Sequence, residues 1–269
     1  MDTIRVLVSG AAGKMGQELV RAIHWEEDLK LVGACDVSQV GVEVGQMCGI
    51  DLSGVVMERF LSRTLDESLP QVVCDFTHAD ALRGNLPVYL EHQVSMVIGT
   101  TGLRTEELKD LEKKCLANNI GCLVAPNFAI GAVLMMQFAK TAAKYLERAE
   151  IIEFHHPQKK DAPSGTAIKT AEGIMEMNRE MNRGVGEDKT VELVPGARGG
   201  RIGSVNIHSV RLSGFVAHQE VIFGGEGQTL TIRHDSLSRV SFMPGIIMAI
   251  RDLASHKGFY YGLEKILDL

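Results

Sequence analysis

The sequence predicts an α/β protein, a doubly wound parallel sheet followed by a second α+β domain with a mostly antiparallel or mixed sheet. Three observations carry this expectation. From Ile4 to about Phe128, short apolar runs alternate with helical periodicity; a glycine-rich turn joins the first run to the first helical pattern; and after about Leu146 the rhythm changes to strands separated by tight turns. Short runs with little polar interruption fit parallel strands covered by helices on both faces.

The predicted strands of the first domain are 4–9, 29–35, 72–76, 94–99 and 121–125. Thr105 is placed as the N-cap of a helix in which Leu108, Leu111 and Cys115 share a face, ending near Asn118 and Asn119. A helix over 130–146 leads into the second domain, where a strand at 149–155 precedes a helix at 164–182. Residues 183–203, rich in glycine and charge, are predicted as a mobile loop able to serve as a lid. Apolar and polar residues alternate through Thr229, Leu230, Thr231, Ile232 and Arg233, as on a strand with one solvated or interface-forming face. Phe242, Ile246, Ile250 and Leu253 mark an amphipathic helix expected to pack against the first domain. The domain limits are thus 1–128 completed by 240–269, and 129–239.

Composition excludes several function classes. A formal net charge of -6 gives no general affinity for nucleic acid or anionic lipid. Met1 to Arg5 run into an apolar strand without the features of a signal peptide, and the apolar stretch 129–139 is too short to span a bilayer, so neither export nor a membrane partner is expected. The five cysteines form no Cys-x-x-Cys pair and sit in apolar patterns, which suits reduced core thiols better than a nucleophile.

The first strand runs into Gly10, Ala11, Ala12, Gly13, Lys14, Met15 and Gly16, then a helical pattern. Glycines there let the chain turn tightly and let backbone N–H groups approach a pyrophosphate at the helix start. Close packing alone would also explain such a turn. Asp36, twenty positions after Gly16 at the end of the second strand, favours the ligand reading, because a carboxylate there accepts from the adenosine ribose hydroxyls. The first domain is therefore expected to be Rossmann-like. Asp36 repels a 2′-phosphate and is followed by Val37 rather than arginine, which favours NADH; Lys14 can reach a 2′-phosphate, which leaves NADPH open. Gly99, Thr100, Thr101 and Gly102, and likewise Ala125, Pro126, Asn127 and Phe128, follow strands and fall at the carboxyl edge of the sheet, where ligands bind.

The run His155, His156, Pro157, Gln158, Lys159, Lys160, Asp161, Ala162, Pro163, Ser164, Gly165, Thr166 connects a strand to a helix and concentrates titratable groups. Ser164 caps that helix, while the Gly165 and Thr166 amides and the Thr166 hydroxyl suit a substrate carboxylate, with Lys159 adding charge. Nothing here has the spacing of a hydrolase elbow or a zinc site, so no metal is expected. A hydride acceptor needs a proton at the neighbouring atom, and either Lys159 or His155 can supply it.

Taken together, the segments 10–16, 99–102, 125–128 and 155–167, with His208-Ser209-Val210-Arg211 and Arg239-x-x-Phe242-x-x-Gly245, resemble the dihydrodipicolinate reductase family over nearly the whole chain. The resemblance implies reduction of 4-hydroxy-tetrahydrodipicolinate to tetrahydrodipicolinate in the diaminopimelate and lysine pathway, with loss of water and hydride delivery to ring C4. It implies His155 as acid with Lys159 as the other candidate, and His156, Lys159, Gly165 and Thr166 as contacts to a small dicarboxylate. It implies cofactor contacts from Gly10 to Met15, Asp36, Gly99 to Thr101 and Ala125 to Phe128, and a cytoplasmic homotetramer assembled through the second domain's sheet. The pair Asp36-Val37 departs from an often acidic-basic pair, and Pro157-Gln158 is less basic than in some relatives. Two other classes compete: an acylating semialdehyde dehydrogenase, which needs a cysteine absent from this loop, and a cofactor sensor, against which the intact His155, Lys159, Gly165 and Thr166 argue.

Overall fold

A computed structural model describes residues 3–181, 189–267 and 269. The chain divides into two compact units, one running to Phe128 and completed by Phe242–Leu269, the other spanning Ala129–Ser241.

In chain order the first unit contains β1 (Ile4–Ser9), α1 (Lys14–Trp25), β2 (Leu29–Cys35), α2 (Val44–Cys48), β3 (Met57–Glu58), α3 (Leu61–Ser68), β4 (Val72–Asp75), α4 (Ala79–Glu91), β5 (Ser95–Ile98), α5 (Thr105–Ala117) and β6 (Gly121–Val124). The second contains α6 (Ile130–Ala142), β7 (Arg148–His155), α7 (Gly165–Glu180), β8 (Gly200–Ile202), β9 (Val205–Arg211), β10 (Ala217–Gly225) and β11 (Gln228–Ser236). The chain then returns to the first unit with α8 (Met243–Ser255) and β12 (Gly258–Tyr261).

The first unit's seven-stranded sheet has the order β12-β6-β5-β4-β1-β2-β3, and every pairing is parallel. Strands such as Val72–Asp75 and Ser95–Ile98 are buried at every position, as a sheet covered on both faces requires. Chain direction across the sheet reverses between β1 and β4, which opens a crevice at their carboxyl ends. Helix α8 packs on β1, β4, β5 and β6 because Ile246, Ile250 and Leu253 recur on one face and are wholly buried. Each such side chain contributes about 1.5–3 kcal/mol of transfer free energy.

The second unit's sheet has the order β11-β10-β7-β9-β8, mixed because β7 and β9 run parallel while the other neighbours are antiparallel. One face, with Ile151, Ile207, Val221 and Phe223, is buried together with Ala139 of α6 and Ala171 and Ile174 of α7. The opposite face bears half-buried Ile152, Phe154, Val210 and Ile222, interleaved with ion pairs of Glu150 with Arg198 and His208, and of Glu220 with Arg233. Along β11 the expected alternation holds in part: Ile232 packs on the core, whereas Leu230 at the sheet edge is 41% exposed.

Several expectations are corrected. The N-cap of α5 is Arg104 and not Thr105; the Glu107 carboxylate accepts from the Arg104 backbone N–H at 2.7 Å, which fixes the helix start one residue earlier. Helix α6 ends at Ala142, where Lys144 and Tyr145 donate three residues back, tightening the last turn before β7. Residues 200–202, assigned to a loop, form β8 because Gly200–Ile202 pair with β9, and 183–188 of that loop lie outside the described residues; the helix predicted over 164–182 ends at Glu180, with Met181 as its C-cap. Two parallel strands, β3 and β12, escaped the sequence pattern altogether.

Candidate functional site

In the first unit the crevice is built by close approach of backbone. Gly10 adopts φ +81°, and a Cβ there would lie 2.6 Å from the Phe76 carbonyl oxygen; a Cβ on Gly16 would lie 2.2 Å from the Gly10 carbonyl oxygen. The turn and the first turn of α1 can be this tight only with glycine. Gly13 precedes α1 with no side-chain cap and no acidic residue follows in the first turn, so the amides beginning at exposed Lys14 and half-buried Met15 present positive potential. An uncapped start of this kind is the chemistry a dinucleotide pyrophosphate requires. Asp36 lies beside it: Oδ2 accepts from the Ala12 N–H at 3.1 Å, and Oδ1 from the Ser38 N–H and hydroxyl at 3.0 and 2.8 Å.

The second pair of loops is anchored by residues the sequence reading passed over. Asp75, at the end of β4, is wholly buried. Its Oδ1 accepts from the Thr77 amide and hydroxyl at 3.1 and 2.6 Å and from the Thr100 hydroxyl at 2.8 Å, while Oδ2 accepts from Asn85 and Tyr89 at 2.9 and 2.8 Å. Burial, then the neighbouring Asp75 charge, pushes the Tyr89 hydroxyl well above its ordinary range, consistent with a pure donor. The Asp75 carbonyl also accepts from Gly99 and Thr100 N–H. A Cβ on Gly99 would lie 2.1 Å from the Phe76 ring, whose centroid is 5.8 Å from that of Phe128. Thr101 and Pro126 remain exposed, Asn127 is half-buried and Ala125 is buried.

In the second unit, strand β7 ends at His155 and the following segment returns to α7 through Ser164. The Ser164 hydroxyl accepts from the Ala167 N–H at 3.2 Å, capping the helix, and its own N–H donates to Glu153 Oε1 at 3.1 Å. Glu153 is fully buried; Oε2 lies 2.6 Å from His155 Nδ1, and Oε1 also accepts from Arg211 at 2.9 Å. Burial alone would raise this carboxyl, yet hydrogen bonds from His155, Ser209, Arg211 and Ser164 outweigh it and hold the group below the usual carboxylate range. Arg211 donates as well to the Asp161 carbonyl at 2.6 Å, and the Asp161 carboxylate holds Lys159 through both oxygens at 2.8 Å. His155, Lys159 and Ser164 are therefore brought into one network through Glu153 and Arg211. His156 is half-buried, and among the described residues its Nδ1 has no hydrogen-bond partner, nor has Arg211 Nε. Among the described residues a Cβ on Gly165 would meet nothing within 4 Å, so their packing does not demand glycine there. Burial raises the thiols of Cys35, to about 11, and Cys74, and all five cysteines are buried.

A parallel sheet with a glycine-bounded crevice, joined in one chain to a mixed-sheet unit with a His, Lys, Glu and Arg cluster at a helix start, defines a two-domain pyridine-nucleotide oxidoreductase. Family models described as dihydrodipicolinate reductase, N-terminus, and dihydrodipicolinate reductase, C-terminus, match residues 4–128 and 131–267. The chain belongs to the dihydrodipicolinate reductase family. It is 50% identical to a 4-hydroxy-tetrahydrodipicolinate reductase of Moorella thermoacetica, covering 99% of this chain and 98% of the relative, and 48% identical to that of Listeria innocua, covering 98% and 100%. A solved dipicolinate-bound dihydrodipicolinate reductase from Paenisporosarcina sp. TG-14 superposes with a TM-score of 0.86 at 43% identity, over 98% of this chain and 99% of that one. An amine dehydrogenase of Mycobacterium smegmatis, 12% identical with a TM-score of 0.68 over 97% of this chain and 95% of its own, shares the fold alone. The family's activity, NAD(P)H-dependent reduction of 4-hydroxy-tetrahydrodipicolinate on the route to diaminopimelate and lysine, is the activity of this chain. Among the described residues no helix is long and apolar enough to cross a membrane.

Proposed function

We propose that hydride reaches ring C4 of the dehydrated substrate while a proton held by His155 or Lys159 goes to the neighbouring ring atom. The observation that carries this reading is the cluster at the start of α7, where a capped helix terminus, His155 and a lysine meet in one network with His156 next in the chain. In it, Ser164, Gly165 and Thr166 take one substrate carboxylate at the positive helix end, and His156 and Lys159 bind the remaining anionic and polar atoms. The buried His156 Nδ1, without a hydrogen-bond partner among the described residues, supports a ligand contact at that residue.

When bound, a nicotinamide cofactor supplies the hydride and its electron pair. Gly10, Ala11, Ala12, Gly13, Lys14 and Met15 hold its pyrophosphate, Asp36 its adenosine ribose, and Gly99, Thr100, Thr101, Ala125, Pro126, Asn127 and Phe128 its nicotinamide end. Asp36 already carries its charge against the Ala12 amide and Ser38, which disfavours a further anion and makes NADH the preferred donor, with NADPH also used. The assembly is a homotetramer seated on the open face of the second sheet, where Ile152, Phe154, Val210 and Ile222 alternate with charges, and it works in the cytoplasm.

Oxidation of NADH and NADPH with freshly generated substrate tests this. Lys159→Ala should lower turnover at least about 100-fold with cofactor affinity retained. Tight dinucleotide binding without wild-type turnover would sink the assignment.

A further inference from the structure

Glu153 has no place in the reaction as set out above, yet His155, Arg211 and Ser164 all contact it. It precedes His155 by two positions on β7, so the pleat sends both side chains to the same face of the sheet. Its two oxygens are used differently. Oε1 accepts from the Ser164 N–H at 3.1 Å and from Arg211 Nη2 at 2.9 Å, whereas Oε2 stands 2.6 Å from His155 Nδ1. A carboxylate oxygen and an unprotonated ring nitrogen are both acceptors and do not approach this closely without a proton between them, so the proton sits on Nδ1. Neither atom makes a well-aligned hydrogen bond to any of the described residues, the other of the pair included, which makes this a close charge contact. Nε2 is then the nitrogen at which a second proton arrives and leaves.

A purely structural ion pair would explain a buried glutamate beside an arginine. Arg211, however, engages Glu153 with one nitrogen and spends that same nitrogen on the Asp161 carbonyl, leaving Oε2 to the imidazole. The charges around His155 come from Glu153 on its own strand, Arg211 at the matching register of β9, and Lys159 and Asp161 on the segment that follows, with His156 adjacent. Of these, Glu153 is the negative group in contact with the ring, and it offsets Arg211.

We propose that Glu153 is a positioning residue for the reductase reaction: its buried carboxylate fixes the His155 ring with a proton on Nδ1 and holds the Ser164 amide, so that one group aligns both the proton donor and the carboxylate-binding helix start. This rests on the reading of His155 as the proton donor. Its net ionisation is secured by the hydrogen bonds that overcome the cost of burial.

The test is long-range proton–nitrogen NMR of the histidine rings in the full-length, nitrogen-labelled chain, with His155→Gln used for assignment. The wild type should have neutral His155 protonated on Nδ1. In Glu153→Gln the Nδ1-protonated form should lose its dominance, with the Nε2-protonated form appearing, and turnover should fall about tenfold with an unchanged KM for NADH. Glu153→Asp should restore the Nδ1-protonated form in part. A wild-type ring protonated on Nε2, or a tautomer that Glu153→Gln leaves in place, overturns the proposal; the first needs no variant to fold. Full turnover in His155→Gln with the ring signals as expected overturns instead the assignment of His155 on which it stands.

Discussion

Asp75 ends its strand and Glu153 lies two residues before the end of its own; both carboxylates are fully buried, and they are held in opposite ways. Asp75 takes hydrogen bonds from an amide N–H, two threonine hydroxyls, a tyrosine hydroxyl and a carboxamide, none of which carries charge. Glu153 is met by an arginine, a histidine and a helix-start amide. Neutral donors fix a carboxylate without changing its charge state or theirs over the working pH range, which suits a frame for loops. Titratable partners couple the carboxylate to a proton that moves, which suits chemistry. The first unit thus spends its buried charge on shape, and the second on a proton.

The largest effect should come from breaking the frame. Asp75→Ala leaves Thr77, Asn85, Tyr89 and Thr100 with donors turned into an apolar interior, at a cost of about 3–5 kcal/mol. Urea unfolding measures it. Because the loops at Gly99 and Phe76 lose their anchor, the KM for NADH should rise as well. A stability loss under about 1 kcal/mol would mean that water replaces the carboxylate and that the contrast with Glu153 is false.

The second effect separates the two by pH. The folded-state pKa of Glu153 lies below its ordinary value of 4.5, so its contribution to stability is complete above that value and is lost as pH falls through the depressed one. The contribution is on the order of 1–2 kcal/mol. Wild-type stability should therefore fall steeply on acidification below about pH 5, and Glu153→Gln, less stable at neutral pH, should fall less over the same range. Parallel curves for the two proteins would remove Glu153 from acid unfolding.

How much of this contrast the sequence carries depends on whether a residue's role is local. β1 and β2 were delimited to the residue by apolar runs, and the Gly10 to Gly16 turn and the Ser164 cap were legible because turns and caps are decided by neighbours in the chain. Asp75 and Glu153 were not, since one reads as a strand ending in a polar residue and the other as the polar member of an alternating strand; their partners lie up to 25 and 58 positions away. β12 was missed for a related reason: Gly258–Tyr261 is four residues of aromatic sequence at the sheet edge, and only its register with β6 makes it a strand. Thr105 failed as a cap because the Glu107 carboxylate, reaching back to Arg104, overrides the hydroxyl preference.

A third prediction sharpens the picture of the first unit. Asp36→Ser removes the charge beside the α1 start while keeping a short polar group near Ala12 and Ser38. It should shift the ratio of kcat/KM for NADPH over NADH by about tenfold toward NADPH, equivalent to about 1.4 kcal/mol. An unchanged ratio would show that Lys14, and not Asp36, governs the choice.

The smallest stability effect should fall at Gly165, and its value lies in that smallness. The first residue of α7 has open space in the direction of a Cβ, and alanine there costs less chain entropy than glycine, so Gly165→Ala should leave stability unchanged or raise it by up to about 1 kcal/mol. If a substrate carboxylate sits against this turn, the added methyl occupies ligand space. The KM for the substrate should then rise several-fold while the KM for NADH and the melting temperature hold. A variant that is stable and fully active would move the carboxylate site away from Gly165, and would leave Lys159 and the histidines as the anchors of the substrate.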